Sequence, residues 1–280
     1  KYKKTFLGYQ PVTGIQKHKI ISNGKIIIDS QYTIDNDNFR FTPKIDNLVK
    51  NKTINFFGGS FIFGWGLNDD ETLPYSIQKY FKDWNIKNYG ISGYGVHQML
   101  AQITESKKII KDINILITHK FHVPRSACKR DFSFGTPKYI LKKNKIIRNG
   151  YCNYTYFNKI QFPRIIGSIV NRSEIKRLID KLYSRKVDFD NKDTNLYLSI
   201  IYEINKMIKK KNKLFFIGYI IDKKNEVDNY ILSELTKNNI EVIDLSLDPD
   251  NDKFRLPDQH PSKEANEERS LIIWKYLSDN

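Results

Sequence analysis

Five short, largely apolar runs, separated by stretches of helical periodicity, constrain this fold more than any other feature. Thr53 to Phe57, Asn88 to Ser92, Ile113 to Thr118, Leu214 to Tyr219 and Ile240 to Leu245 read as strands. Their Ile, Leu, Val and Phe content suits strands covered on both faces. Between them, Leu73, Ile77, Tyr80, Phe81 and Trp84 recur at helical spacing, with Pro74 in the tolerated first turn. Further helices are predicted from Val96 to Lys111, through Tyr197, Ile201, Ile204 and Ile208, and from Val227 to Asn238. Ser262 is placed to cap a last helix ending near Leu277. Such alternation predicts an α/β fold: a three-layer α/β/α sandwich around a mainly parallel, five-stranded sheet. Ligands then bind at the carboxyl ends of the strands.

Two segments depart from the rhythm. Residues 1–50 read as a small N-terminal β appendage, with a hairpin at Lys19 to Asp29 turned by Asn23-Gly24. Residues 51–280 form the main domain, interrupted at about 121–193 by an aromatic, basic, poorly periodic insertion. At 280 residues and 40% hydrophobic content the chain can bury a sizeable core. It has no apolar run of roughly 18 residues, as a membrane helix needs.

A net charge of +16 favours acidic partners, but the lysines are spread along the whole chain. The dense runs Lys107 to Lys111 and Lys206 to Lys213 fall at predicted helix ends, where cations complement the dipole. A nucleic-acid partner is not expected. Cys128 and Cys152 are either a disulfide, which favours an exported protein, or two separate thiols. The chain begins at Lys1 rather than Met, so any signal peptide or membrane anchor would lie upstream, and a periplasmic or otherwise exported location is slightly favoured over a cytoplasmic one. Oligomeric state is not legible.

Chemistry concentrates at strand ends. Gly58-Gly59-Ser60-Phe61 follows the first strand directly, so a tight turn would project the Ser60 hydroxyl at the sheet edge. Asp258-Gln259-His260-Pro261-Ser262 precedes the last helix, where an imidazole beside a carboxylate suits activation of a serine. Taken alone, the first segment is better read as a plain strand–helix turn capped by Ser60, and the second is weak beside a surface loop with a Pro-Ser helix start.

Their order along the chain, with Asn88-Tyr89-Gly90-Ile91-Ser92-Gly93 between them, resembles the SGNH/GDSL hydrolase superfamily from about Lys52 to Asn280. The resemblance implies a flavodoxin-like SGNH fold, Ser60 as nucleophile, His260 as general base and Asp258 as its carboxylate, with Asp252 in reserve. It implies an oxyanion hole from the N–H groups of Ser60 and Gly93. Where the family usually carries an Asn donor after the third strand, alignment here brings His122, whose ring either substitutes for that donor or packs beneath the insertion. Gly58-Gly59-Ser60 replaces the usual Gly-Asp-Ser. The short Asp-x-His spacing is similar to that of alginate O-acetyltransferases.

The expected activity is a serine-dependent ester hydrolase acting through a covalent acyl-enzyme on a small ester or acylated carbohydrate, without cofactor or metal. An O-acetyltransferase of a surface or extracellular polysaccharide would use the same triad. A non-catalytic module binding anionic polymers would retain only the scaffold. His119 and His122 form His-x-x-His without a further ligand at recognisable spacing, so no metal site is expected. His97 reads as structural, and Asp69, Asp70 and Glu71 as helix-capping rather than acid–base groups. Phe61, Phe63 and Trp65 suit core packing or a substrate platform, and Arg125 and Arg130 an anionic substrate or plain surface.

Overall fold

The computed structural model describes residues 1–45, 50–156, 160–162, 190–223 and 225–279. The chain opens with two antiparallel hairpins, β1 (Tyr2–Thr5) with β2 (Gly8–Pro11) and β3 (Gly14–Ser22) with β4 (Lys25–Ile34). Asn23 and Gly24 turn the second with φ of 48° and 74°, the left-handed pair a two-residue hairpin turn requires. The hairpin is longer than the expected Lys19 to Asp29.

The main body then runs β5 (Lys52–Phe57), α1 (Ser60–Phe63), α2 (Leu73–Ser76), β6 (Trp84–Asn88), α3 (Val96–Glu105), β7 (Ile113–Thr118) and α4 (His122–Ser126). A hairpin of β8 (Pro137–Lys142) and β9 (Lys145–Tyr151) and a small pair, β10 (Tyr154–Tyr156) and β11 (Ile160–Phe162), follow. The rhythm resumes with α5 (Asn191–Lys209), β12 (Leu214–Tyr219), α6 (Glu226–Lys237), β13 (Glu241–Asp244) and α7 (Lys263–Asp279). Much of the expected insertion, residues 157–159 and 163–189, lies outside the described residues.

The central sheet has five strands, all parallel, in the order β13-β12-β7-β5-β6. Period-two alternation divides each strand between two cores. Ile54 and Phe56, Ile113, Ile115 and Ile117, and Phe216 pack with Ile62, Leu73, Ile77 and Ile273 from α1, α2, the turn after it and α7. Phe57, Leu116, Phe215 and Ile217 pack with residues of α3, α5 and α6 on the other face. The three-layer α/β/α architecture is therefore the one the strand–helix alternation predicts.

Three elements differ from the sequence reading. The predicted helix through Leu73 and Trp84 is only α2 and a 3₁₀ turn, Ile77–Lys79, because Trp84 pairs with Lys52 and opens β6. Apolar spacing of three or four is met equally by a turn running into a strand. The second strand is Trp84–Asn88 rather than Asn88 to Ser92. At its end the Asn88 Oδ1 accepts from Gly90 N at 2.9 Å and its Nδ2 donates to Ile62 O at 2.7 Å, while Tyr89 N and Ile91 N still donate to Phe56 O and Gly58 O. The α3 helix stops at Glu105, and a 3₁₀ turn at Lys107–Ile109 leads into β7.

The N-terminal segment is tied into the body by Arg40, which is 1% exposed. Its guanidinium donates to Asp69 and to the carbonyls of Phe63, Gly64 and Leu67, at 2.8–3.2 Å. It thus clamps the chain that leaves α1. Asp69 also accepts from Thr33 N, and Glu71 accepts from Asn68 N, so these acids serve structure.

Candidate active site

Ser60 is the first residue of α1, three residues beyond Phe57 at the carboxyl end of β5. Its N–H lies in the first helical turn, which has no acceptor within the helix. The turn is tight at Gly59: a Cβ there would stand 3.1 Å from Tyr94 O and from Arg125 Nη1, and 3.2 Å from His122 Nε2. A side chain there would push these groups back by a few tenths of an ångström from the backbone beside Ser60.

The Asp258-Gln259-His260 segment reaches Ser60 from the other end of the chain. Gln259 adopts the left-handed conformation, φ 71°, and Leu256 N donates to His260 O at 2.7 Å. This tight turn folds Asp258 back on His260: Oδ1 accepts from His260 N at 3.2 Å, and Oδ2 lies 3.1 Å from Nδ1. The Nδ1–H direction falls short of strict hydrogen-bond alignment, so the contact is one of proximity and charge. Such contacts commonly tighten only when substrate binds. Ser262 Oγ accepts from Ala265 N at 3.2 Å and caps α7 as predicted.

His260 Nε2 lies 2.9 Å from Ser60 Oγ. With the ring proton on Nδ1, facing the carboxylate, Nε2 accepts from the serine hydroxyl. Burial lowers the His260 pKa, Asp258 opposes that, and Arg125 lowers it further. The imidazole is thereby held in its proton-accepting form near neutral pH.

Ser60 and His260 share a cavity of about 620 Å³ with Gly93, Ser92, Arg125 and five aromatic rings. Tyr2 and Tyr9 come from the N-terminal hairpin, Trp65 from the segment after α1, and Phe132 and Phe134 from the segment after α4. Tyr9 Oη donates to Ser92 O at 2.8 Å, fixing the hairpin over the site. Gly93 has φ 84°, and a Cβ there would collide with the Tyr9 hydroxyl. Cys128 and Cys152 are joined in a disulfide, resolving the two alternatives left by the sequence. It ties the chain bearing Phe132 and Phe134 to the end of β9.

The structure brings Ser60, His260, Asp258 and Gly93 together but sets His122 apart. Its ring is 2% exposed and does not line the cavity. Nδ1 lies 3.0 Å from Thr118 Oγ1, which lies 3.0 Å from Tyr197 Oη, and burial holds the ring neutral. His122 is a wedge beneath Gly59 rather than a group facing substrate. Asp252 is exposed on a 3₁₀ turn.

Trp65 has a part that the sequence did not reveal. Its Nε1–H donates to Asp258 Oδ2 at 3.1 Å, and its ring lies 4.2 Å from that of His18. Aromatic spacing alone shows no such partner 193 residues away.

No protein-family model matches the chain, and no curated protein matches it. Among solved structures it is similar to a lipolytic protein of the G-D-S-L family from Desulfitobacterium hafniense, described as putative, at 12% identity and TM-score 0.46, over 80% of this chain and 99% of that one. A family two carbohydrate esterase from Clostridium thermocellum is similar at 7% identity and TM-score 0.49, over 83% of this chain and 65% of that one. An acetyl xylan esterase from the rumen bacterium Butyrivibrio proteoclasticus is similar at 11% identity and TM-score 0.47, over 95% of this chain and 87% of that one. At such identities a common fold does not carry a common reaction.

Proposed function

We propose that the chain is a serine-dependent ester hydrolase of the SGNH type, with Ser60, His260 and Asp258 as its triad. The observation that carries this reading is the 2.9 Å contact between Ser60 Oγ and His260 Nε2, beside Asp258, inside an aromatic cavity. A serine, a histidine and an acid drawn from positions 200 residues apart, in attack geometry at the strand ends, are the requirements of acyl transfer.

In the reaction, Ser60 Oγ attacks the ester carbonyl while His260 Nε2 takes its proton. The tetrahedral oxyanion is held by the N–H groups of Ser60 and Gly93. Collapse breaks the bond to the alcohol, which leaves with the proton from His260. His260 then deprotonates a water that attacks the acyl-Ser60 ester, and the acid departs as Ser60 recovers its proton. Asp258 keeps the His260 ring proton on Nδ1 throughout. Aromatic walls around a 620 Å³ space suit an ester with a flat or apolar portion, such as an acylated sugar ring.

The test is labelling with a fluorophosphonate probe together with hydrolysis of p-nitrophenyl acetate. Wild-type protein is expected to take one label at Ser60 and release acetate, and Ser60→Ala to do neither. An unlabelled wild type, or labelling that persists in Ser60→Ala, would overturn the triad and favour a non-catalytic binding module.

A further inference from the structure

The cavity holds one cation whose role the triad leaves unexplained. Arg125 lies on α4, one turn beyond His122, and lines the cavity with Ser60 and Gly93. Its Nη1 donates to Tyr94 O at 3.0 Å and stands 3.1 Å from the position a Gly59 Cβ would take. Its Cζ lies 5.7 Å from the Phe132 ring centroid, so an aromatic face and a carbonyl hold the fork. No carboxylate among the described residues pairs with it; the groups that act on its charge are Tyr9 and Arg130.

A guanidinium offers five N–H groups, and Tyr94 O accounts for one of them. Keeping a cation in a largely desolvated place without a counter-ion is costly, unless an anion forms or arrives there. Two anions fit that description: the oxyanion of the tetrahedral intermediate, or a fixed charge on the substrate. Position separates them. The guanidinium, though it lies over the Phe132 ring, has its Nη1 beside Gly59, the residue that precedes Ser60, in the cavity that Ser60 and Gly93 also line.

Resting on the serine-hydrolase reading, we infer that Arg125 is the third oxyanion donor of this site, in the place that sequence alignment assigns to His122. A permanently charged donor replaces the neutral amide expected there, and interacts more strongly with the oxyanion than with a ground-state carbonyl. Its contribution therefore falls on kcat rather than on substrate affinity.

The experiment compares wild type, Arg125→Met and Arg125→Lys on p-nitrophenyl acetate, which is neutral, and on p-nitrophenyl hemisuccinate, which carries a carboxylate. Arg125→Met is expected to lose about 10²–10³-fold in kcat on both esters, with KM changed by less than about threefold. Arg125→Lys keeps charge but not the fork, and is expected to recover part of that loss. Circular dichroism and thermal unfolding check the fold; if Arg125→Met does not fold, Arg125→Lys carries the test, with at least about a tenfold loss expected. Wild-type kcat in the variants overturns the inference. So does a loss confined to KM for the hemisuccinate, which would make Arg125 a clamp for a substrate anion. If wild type itself neither hydrolyses nor takes the fluorophosphonate, the Ser60 reading fails and this one with it; if wild type reacts and the variants match it, this inference alone fails.

Discussion

Trp65 Nε1 donates to Asp258 Oδ2, the same oxygen that lies 3.1 Å from His260 Nδ1. One carboxylate oxygen thus receives a fixed donor from the segment after α1 and faces the histidine on the other side. Because Trp65 follows Ser60 by five residues, the segment that presents Ser60 also holds Asp258, the carboxylate beside His260.

Trp65→Phe keeps an aromatic ring in the cavity wall but removes the N–H together with the smaller ring of the indole. Hydrogen bonds to charged groups contribute about 1.5–3 kcal/mol. With Asp258 still present, only part of this reaches the transition state, and kcat/KM is expected to fall about tenfold. Steady-state kinetics check it, and an unchanged value would relegate Trp65 to packing.

The pH dependence follows from His260. Its pKa is lowered from the ordinary value, chiefly by burial. The neutral, proton-accepting form therefore persists below pH ~6.5, the usual histidine value. The acid limb of kcat/KM is expected below that pH. Asp258 raises the His260 pKa, so Asp258→Asn moves the limb further down while reducing kcat by roughly 10³–10⁴. A pH–rate profile of both proteins measures it.

Acid should also destabilise the fold. His97 is fully buried and pushed down to about 3, and His122, 2% exposed, lies well below its usual value, burial being the main cause for both. Between those values and pH ~6.5 the unfolded chain binds protons that the folded chain refuses. Stability is thus present above pH ~6.5 and lost as pH falls, by up to about 1.4 kcal/mol per pH unit for each histidine. Urea unfolding from pH 7 to 5 should show it, and the slope should flatten in His97→Gln/His122→Gln.

Arg40→Met would leave Asp69 without its cation and take the guanidinium donors from three carbonyls, of which Gly64 O still accepts from Leu67 N. Breaking a buried pair from one side costs about 3–5 kcal/mol. Urea denaturation is expected to register a loss of that size, and activity should fall too, since the chain leaving α1 loses its clamp.

The Cys128–Cys152 disulfide closes a sequence separation of 24 residues. Replacing both by Ser is expected to lower stability by about 3 kcal/mol, by freeing the unfolded chain. Because Phe132 and Phe134 lie within that loop and line the cavity, KM should rise while labelling of Ser60 persists. Calorimetry and steady-state kinetics test the two halves separately.

What the sequence by itself determined is local and ordinal. The apolar runs at Ile113–Thr118 and Leu214–Tyr219 coincide with β7 and β12, because a strand covered on both faces must be apolar along its length. The three-layer sheet follows from alternation, and the candidate pair Ser60 and His260 from the order of motifs along the chain. Boundaries such as Trp84–Asn88 escaped because they are set by backbone pairing with Lys52–Phe56, which hydropathy does not record.

Tertiary structure alone decided what surrounds that pair. Tyr2, Tyr9, Trp65, Phe132 and Phe134 come from three separated segments, and no periodicity records that they meet around Ser60. The same holds for His122 and Arg125, three residues apart and so on one side of α4. The packing of that helix under Gly59 drives the nearer ring into the protein and leaves the longer guanidinium to reach the cavity. Sequence places residues in order; only packing selects which of two neighbours lines the cavity.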